Sequence, residues 1–399
     1  MSGCPIHKYP SGGPRGLKID PVMRRIADDG GVARLQLPHG DACWVVTGFD
    51  DARFVYSSKS FSRIGMNTDS APRLTEGLLL QGAIGCMEDR DHVKLRRAVL
   101  RELDAPRLAA LEAHAEAMMS ELLAAFAANG GGDYLSEVAR PFALRVLSEL
   151  LGLPWATAEM MSAWVQTLLT ASGRGADPAI ITEAYTGLGR CVTELVAQRR
   201  ATPGQDFISA VANRRELGTK EIAIVVISLL AGGFESSVTM LSKSVLLLLT
   251  RPDLRKELRR DPTLVPVAVE EFLRTISLAG GESIPWLVRE PVTLAGVEMA
   301  VGDHVMPAAG AANLDPTVFD DPEDVRFDRK NTSHLAFGHG SHLCLGYQIA
   351  RMELRVGVRA FVERFEDPLL GLPAESLSWR EDSAVWQLNE LPVSVGRNQ

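Results

Sequence analysis

The decapeptide FGHGSHLCLG, at residues 337–346, is the most informative stretch of the chain. Gly338 lets the backbone turn tightly and approach a flat ligand that a side chain would obstruct. Cys344 precedes a helical pattern that runs to about Phe365, so the positive end of the helix dipole is expected to lower the pKa of its thiol. Phe337 is placed to pack beside the sulfur, and nearby backbone N–H groups can donate to it. A thiolate in such a loop is a candidate axial ligand for haem iron, whereas an isolated cysteine is more often a buried structural residue.

Composition limits the classes of protein to consider. The chain has 399 residues, 46% hydrophobic content and a formal net charge of −8, so a large core is available and no nucleic-acid partner is expected. Its five cysteines are widely spaced, which argues against a disulfide framework or a zinc site and favours a reducing, cytoplasmic setting. Residues 1–14 lack the apolar core of a signal peptide, and the most apolar stretch, Ile222–Phe234, is too short to span a bilayer. No membrane partner is therefore expected.

The hydrophobic pattern predicts a mainly α fold with small β-sheets. Residues 34–56 alternate between apolar and polar positions and predict a small hairpin. The chain from about residue 88 to 274 is mostly helical in pattern, with helices predicted at Leu108–Phe126, Tyr134–Leu151, Ala156–Thr170 and Ile180–Arg199. Short strands and turns are predicted at 284–330 and in the last 30 residues. Since no linker interrupts the chain, we interpret residues 1–399 as a single domain, with 1–20 as a flexible N-terminal segment.

One long helix has a weak centre. It is predicted to start with Thr219 as N-cap and to end near Leu249. Gly232 and Gly233 stand in its middle, and two adjacent glycines inside a helix cost about 1–2 kcal/mol relative to alanines. Either close packing against another helix or space for a ligand beside a kinked backbone would offset this cost, and the sequence leaves both open.

The decapeptide resembles the haem-ligand loop of the cytochrome P450 family, F-x-x-G-x-H-x-C-x-G. The resemblance covers the chain from about Asp50 to Pro392 and implies the cytochrome P450 fold. It also implies a haem b cofactor with Cys344 as the iron ligand, whose thiolate favours O–O cleavage. The further haem-binding residues that it implies are Phe337, Gly338 and Gly346 in the loop, Gly232 on the long helix, and His92, Arg96 and His342 at the propionates.

The segment Gly232–Ser236 also resembles the family, which has an acid followed by an alcohol on its long helix. The resemblance implies that Glu235 and Ser236 are catalytic residues that relay protons to bound dioxygen. The family usually has threonine where Ser236 stands, and serine keeps the hydroxyl but loses the methyl group that restricts its rotamer. The alternative interpretation is a surface glutamate beside a serine that bonds to its own helix.

Two charged residues support the resemblance, and one aromatic residue departs from it. Glu271 and Arg274 can pair on one helix face, and the family adds an arginine, here Arg329, to form a structural triad. Trp286 stands where the family usually has an arginine that binds a propionate, and Arg289 is nearby but out of register. One propionate contact is therefore expected to be lost or replaced.

The resemblance implies a redox partner. Electrons are expected to come from NAD(P)H through a reductase and a ferredoxin. A basic face would suit an acidic ferredoxin, although a solvated helix face accounts for the same residues equally well. The candidate basic residues are Lys94, Arg97, Arg101, Arg351, Arg355 and Arg359.

A substrate pocket is predicted from the segments that face the distal side of the haem in the family. The predicted pocket residues are Met66, Leu229, Gly233, Ser237, Ala279, Pro285, Trp286, Val385 and Trp386. The two tryptophans are suited to stacking on a flat substrate, or they simply pack the core.

Two features are similar to those of actinobacterial members that oxidise cyclic dipeptides, namely Thr332-Ser333-His334 before the decapeptide and Leu314, rather than an arginine, after Ala312-Asn313. The prediction is therefore an oxidoreductase of secondary metabolism that hydroxylates or couples a small molecule, with a tryptophan-containing diketopiperazine as the first candidate. Hydroxylation of a polyketide, terpenoid or other natural product is the alternative. A non-catalytic haem sensor is the alternative from another class.

Overall fold

A computed structural model of the chain describes residues 5–11, 16–66, 68–74, 83–170, 177–279, 284–380 and 385–396. The α-helices are α1 (Pro21–Asp28), α2 (Phe49–Ser57), α3 (Asp89–Glu102), α4 (Ala105–Ala128), α5 (Arg140–Leu151), α6 (Trp155–Thr170), α7 (Pro178–Ala201), α8 (Phe207–Ala212), α9 (Thr219–Thr250), α10 (Pro252–Arg260), α11 (Val265–Thr275), α12 (Ala309–Ala312) and α13 (Tyr347–Arg364). The strands are β1 (Ile6–Lys8), β2 (Val32–Gln36), β3 (Cys43–Val46), β4 (Phe61–Ser62), β5 (Gly131–Asp133), β6 (Trp286–Val288), β7 (Val292–Leu294), β8 (Val297–Met299), β9 (His304–Pro307), β10 (Leu369–Leu370) and β11 (Pro392–Ser394). The predicted class, mainly α with small sheets, is confirmed.

The helical core is organised around α9. This helix packs against α5, α6, α7 and α13. Every residue from Val238 to Leu248 is buried, including the polar or charged Thr239, Ser242, Lys243 and Ser244. Among the described helices, only α9 is long and apolar enough to cross a membrane, and half of its apolar window is buried inside the protein. The apolar segment is thus longer than the predicted stretch Ile222–Phe234.

The long helices follow the predicted pattern, with differences at their ends. The helix predicted over Tyr134–Leu151 consists of a π-helical turn at Leu135–Ala139 followed by α5. In α9 the N-cap is Gly218 rather than the predicted Thr219, which is the first helical residue. The Glu221 carboxylate accepts the Gly218 N–H at 2.8 Å, so glutamate caps the helix in place of a threonine hydroxyl.

A six-stranded sheet packs beside the helices, with the strand order β1-β2-β3-β9-β6-β4. β2 and β3 form the hairpin predicted within residues 34–56, and α2 takes up the end of that range. β1 pairs in parallel with β2, so this part of the segment expected to be flexible is held in the sheet. Residues 1–4 and 12–15 of that segment lie outside the described residues. The strand pairing expected near the C-terminus is that of β10 with β11, which in turn pairs with β5.

The structure brings Glu271, Arg274 and Arg329 together. Arg274 is 1% exposed and donates to both oxygens of Glu271, at 2.8 and 2.7 Å, while Arg329 donates to Glu271 Oε1 at 2.7 Å. Arg274 also donates to the carbonyls of Asn313 and Pro322, at 2.9 and 2.7 Å. Burial on its own raises the pKa of Glu271, but the hydrogen bonds from the two arginines hold it below its ordinary value. α11 is thereby tied to the segment that leads into residues 337–346.

Candidate active site

The loop at residues 337–346, called the ligand loop from here on, is shaped by two glycines. Gly338 and Gly340 both have a φ of +70°, in the left-handed region that favours glycine. A Cβ on Gly340 would lie 2.6 Å from the backbone oxygen of Tyr56, so α2 leaves room only for glycine there. The Cys344 N–H donates to the Phe337 oxygen at 2.9 Å and closes the loop. The protein therefore fixes the loop by its own backbone contacts.

The Cys344 thiol is half-buried at the end of this loop. Burial raises its pKa, although a hydrogen bond from the Gly346 backbone and the charges of Arg96 and Arg351 oppose that effect. The net pKa of the thiol is therefore raised rather than lowered, because desolvation is the larger effect, and α13 begins only at Tyr347. The expected backbone donation to the sulfur is present through Gly346.

His92 on α3 meets His342 of the ligand loop. Their rings stack with centroids 4.3 Å apart, and Trp286 makes a T-shaped contact with His342 at 5.3 Å. Arg96, on α3 with His92, is close enough to Cys344 to influence its pKa. Burial, together with the charges of Arg63, His92 and Arg96, lowers the pKa of His342 to about 3.

Two buried nitrogens in this group have no acceptor. His342 Nε2 and Trp286 Nε1 lack a hydrogen-bond partner within the described ranges. Buried donors are normally satisfied, so an unpaired pair beside a cysteine and an arginine fits a ligand that carries carboxylates. The residues present therefore fit haem, with Cys344 at the iron and His92, Arg96 and His342 at the propionates.

The two glycines of α9 have different surroundings. A Cβ on Gly233 would lie 3.1 Å from a methyl carbon of Leu147, so this glycine permits close packing with α5. A Cβ on Gly232 would meet nothing within 4 Å among the described residues. α9 continues through both positions as an α-helix. Each of the two possibilities left open by the sequence thus applies to one glycine: packing to Gly233, and free space to Gly232.

Ser236 and Glu235 point in different directions from α9. The half-buried Ser236 hydroxyl donates to the Gly232 carbonyl one turn earlier, on the side with free space. Glu235 is 7% exposed and accepts from Arg140 at 3.1 Å and from Gln387 at 2.8 Å. The alternative of a surface glutamate is therefore wrong, whereas the expected bond of the serine to its own helix is present. Both oxygens of Glu235 are engaged, and no hydrogen bond between the described side chains joins it to Ser236.

The two tryptophans predicted in the pocket pack against protein instead. Trp286 is 2% exposed, and the Arg63 guanidinium covers its ring face at 4.4 Å from the centroid. Trp386 is 4% exposed and stacks on Tyr9 with centroids 6.3 Å apart. Neither side chain offers an open face to a flat substrate, so the core-packing alternative describes both.

The other predicted pocket residues also make contacts within the protein or are at least half-buried. The Ser237 hydroxyl donates to Glu353 on α13, and the Ala279 carbonyl accepts from the Tyr9 hydroxyl at 2.9 Å. The remaining ones are either buried or half-buried in separate parts of the chain, namely Met66, Leu229, Pro285 and Val385. The segments expected to face the pocket also include residues 67, 75–82, 171–176, 280–283 and 381–384, which lie outside the described residues.

Three of the six residues of the predicted basic face form ion pairs. Arg351 donates to both oxygens of Glu270, at 2.7 and 2.8 Å. Arg355 pairs with Glu112 at 3.1 Å, and Lys94 pairs with Glu221 at 2.6 Å. Arg97 and Arg101 remain exposed on α3. A redox partner would therefore meet a smaller positive surface than the sequence indicates.

Glu353 is a buried acid that the sequence analysis missed. It is 3% exposed on α13, its Oε2 accepts from Ser237, and its Oε1 has no partner among the described residues. Burial raises its pKa to about 8, although the Ser237 hydrogen bond opposes this. Glu353 is therefore mostly protonated at neutral pH. No local signal marks it, because helical charge patterns do not show which glutamates are buried.

Comparisons with known proteins agree with this geometry. A family model described as cytochrome P450 matches residues 147–370. Mycinamicin IV hydroxylase/epoxidase from Micromonospora griseorubida is 34% identical over 98% of this chain and 100% of its own length. Nocardicin C N-oxygenase from Nocardia uniformis subsp. tsuyamanensis is 33% identical over 99% of this chain and 100% of its own. A crystal structure of cytochrome P450mel 107F1, a protein with biaryl coupling reactivity, superposes with a TM-score of 0.91 at 30% identity, covering 98% of this chain and 100% of that one.

The chain therefore belongs to the cytochrome P450 family. It is a P450 oxidoreductase whose relatives are tailoring oxygenases of secondary metabolism. The alternative of a non-catalytic haem sensor has no support in these relatives.

The raised pKa of Glu353 predicts a pH dependence of stability. Glu353 loses its proton near pH 4.5 in the unfolded chain and near pH 8 in the folded chain. The free energy of unfolding therefore falls as the pH rises from 4.5 to 8. Below pH 4.5 Glu353 is protonated in both states and causes no pH dependence. Glu353→Gln cannot ionise, so its stability relative to wild type should rise by about 1.4 kcal/mol per pH unit across the window. Denaturant unfolding from pH 4 to 9 measures this. The exposed Glu375→Gln is the control, and parallel curves for Glu353→Gln and wild type would contradict the prediction.

Proposed function

We propose that this cytochrome P450 binds haem b through Cys344 and oxidises a small natural product with dioxygen. The observation that carries the proposal is the position of Cys344 beside the stacked pair His92–His342, whose orphaned nitrogen fits a carboxylate. When bound, the haem supplies dioxygen activation under the influence of the thiolate. The chain's own part is to hold the sulfur, and the Phe337–Cys344 backbone bond does so.

In this proposal the α9 residues manage protons. Ser236 lies with Gly232 on the side of α9 that has free space, so its hydroxyl is placed to hold a proton near a bound substrate. Glu235 is proposed to feed protons from the neighbouring side of the helix, where Arg140 and Gln387 hold its carboxylate. Because both of its oxygens are engaged, Glu235 must exchange one partner before it can pass a proton to Ser236.

We favour oxygen insertion into a polyketide, terpenoid or other natural product over oxidation of a cyclic dipeptide. The relative that hydroxylates or epoxidises mycinamicin IV supports this choice. Some of the residues that favoured a cyclic dipeptide, the two tryptophans and His334, make contacts within the protein that explain their presence without a substrate. The predicted stacking tryptophans are covered, and His334 in the lead-in contacts Glu270 at 3.2 Å, which gives that residue a structural role.

We further propose that the enzyme works in the cytoplasm as a single domain without a membrane partner. The contacts of α9 with several helices support its assignment as a core helix. Electrons are proposed to come from NAD(P)H through a reductase and a ferredoxin, with the exposed Arg97 and Arg101 as part of the docking surface.

Replacing the proposed ligand tests the haem assignment directly. The reduced, CO-bound wild type should show a red-shifted Soret band, and Cys344→Ser should lose it, because a hydroxyl is a poorer donor to iron than a thiolate. Absorption spectra of purified protein measure this. Cys191→Ser is the matched control, since this half-buried cysteine lies on α7. A red-shifted band that survives in Cys344→Ser would sink the ligand assignment.

Replacing Ser236 tests the proton path. Ser236→Ala should divert reducing equivalents to hydrogen peroxide, with about a tenfold or greater loss of product per NAD(P)H, since a positioned proton donor typically contributes at least that much. Ser236→Thr restores the hydroxyl and should couple at least as well as wild type. Peroxide and product are measured in parallel under turnover. Equal coupling in Ser236→Ala and wild type would remove Ser236 from the path.

A panel of ligands tests the substrate class. Polyketides and terpenoids are expected to shift the iron from low to high spin, and mass spectrometry of the turnover products should show added oxygen. Tryptophan-containing cyclic dipeptides are expected to give no shift. A spin shift with a dipeptide, and a product that has lost hydrogen without gaining oxygen, would reverse the preference.

A further inference from the structure

Arg63 is a buried arginine that lies against the tryptophan beside His342. It follows β4 directly, and β4 pairs with β6 so that Phe61 lies opposite Val288 and Ser62 opposite Leu287. Continuing this register by one residue places Arg63 opposite Trp286. Its guanidinium carbon lies 4.4 Å from the centroid of the Trp286 ring, and the residue is only 6% exposed.

The charge of the Arg63 guanidinium is only partly compensated in the described part of the chain, where Glu88 influences its pKa. Its Nε is buried and has no hydrogen-bond partner there, and no ion pair to Arg63 is found in the same ranges. Glu88, the acid that faces it, is otherwise engaged. Its Oε1 accepts the backbone N–H of Arg63, and its Oε2 lies 3.6 Å from Arg289 Nη1. A buried charge without a partner is costly, so this arrangement calls for an anion.

The neighbours of Arg63 show where that anion would lie. Trp286 connects Arg63 to His342, and His342 stacks on His92. Arg63 Nε, Trp286 Nε1 and His342 Nε2 are all buried and all lack a partner within the described residues. These three unpaired nitrogens lie on side chains that contact one another in sequence, and the neighbouring acid Glu88 is already engaged. A carboxylate from a ligand is the kind of acceptor that would satisfy them.

We infer that Arg63 binds a haem propionate and supplies the cation that Trp286 does not. The indole of Trp286 is the platform that holds the guanidinium in place through a cation–π contact. The inference rests on the proposed haem site at Cys344 and adds a residue that the sequence did not indicate. It explains why a tryptophan is acceptable at a position where an arginine is expected: the charge comes from the neighbouring strand.

Arg289 is the rival for this role, because it lies close to Trp286 in sequence. In the structure its side chain is 56% exposed and pairs with Glu88. It is therefore directed to the surface, and Arg289→Met serves as the matched control for Arg63→Met.

The first experiment measures haem release from the purified holoenzyme into excess apomyoglobin. Arg63→Met should release haem about ten- to a hundredfold faster than wild type, since a hydrogen-bonded charge is lost. Arg289→Met should release haem at the wild-type rate. The reduced CO spectrum of Arg63→Met should keep its red-shifted Soret band, because Cys344 is unchanged. Loss of that band in wild type would refute the haem-thiolate proposal itself, whereas an unchanged release rate in Arg63→Met refutes the role of Arg63 alone.

The second experiment separates a carboxylate contact from a packing effect. Wild type and Arg63→Met are reconstituted with haem dimethyl ester, in which both propionates are esterified. The two proteins should then release the ester at the same rate, because no carboxylate remains for Arg63 to bind. Faster release of both haems by Arg63→Met would show a packing role and overturn the inference.

Two further variants keep the test decisive if Arg63→Met does not fold. Arg63→Lys retains the charge but loses the planar fork, and should release native haem faster than wild type but release the ester at an equal rate. Arg63→Met combined with Trp286→Arg moves the cation to the opposite strand and should restore slow release of native haem. Two results would count against Arg63 as a propionate ligand. One is that Arg63→Lys releases native haem at the wild-type rate, and the other is that the double variant releases native haem as fast as Arg63→Met.

Discussion

Two adjacent carboxylates on α11 hold the ligand loop from both sides. Glu271 binds Arg329, which lies ahead of the loop. Glu270 binds His334 at 3.2 Å on the same side and Arg351 at 2.7 Å beyond Cys344. Burial raises the pKa of Glu270, but the hydrogen bonds from His334 and Arg351 bring it down to about 2. Both acids stay charged at neutral pH, so the clamp that positions the sulfur does not depend on the cofactor.

This clamp explains how the protein can hold unpaired polar groups next to the loop. Each buried donor without an acceptor costs about 1–3 kcal/mol. His342 Nε2 and Trp286 Nε1 carry that cost in positions fixed by β6 and by the loop. A ligand that satisfies them stabilises the folded state by mass action, so cofactor binding and folding stability are coupled. Because these two nitrogens are held in fixed positions, they are already oriented to donate to a carboxylate when the ligand binds.

Local patterns predicted most of the fold, and part of the site could not be read from them. The decapeptide, the long helices and the spacing of Glu271 and Arg274 are short-range features, so the sequence reveals them directly. Arg140 and Gln387, which hold Glu235, come from segments far apart in the chain. Arg63 is found only through the pairing of β4 with β6. For Trp286 and Trp386 the sequence predicted a role that the structure does not support. Their residue type suggests stacking on a substrate, but it does not reveal that Arg63 and Tyr9 already cover the rings.

The three consecutive polar residues of α9, Glu235, Ser236 and Ser237, have different surroundings because successive side chains of a helix point in different directions. Glu235 meets a cation and an amide, and Ser237 meets the buried acid Glu353 on α13. Only Ser236, with Gly232 one turn before it, borders free space. The helix therefore keeps its carboxylate away from that space and presents one small hydroxyl to it. A surface of this kind binds mainly apolar molecules by shape, with few polar contacts to orient them. This supports our proposal of an extended natural-product skeleton as substrate, because the amide groups of a polar cyclic dipeptide need more hydrogen-bond partners than one hydroxyl.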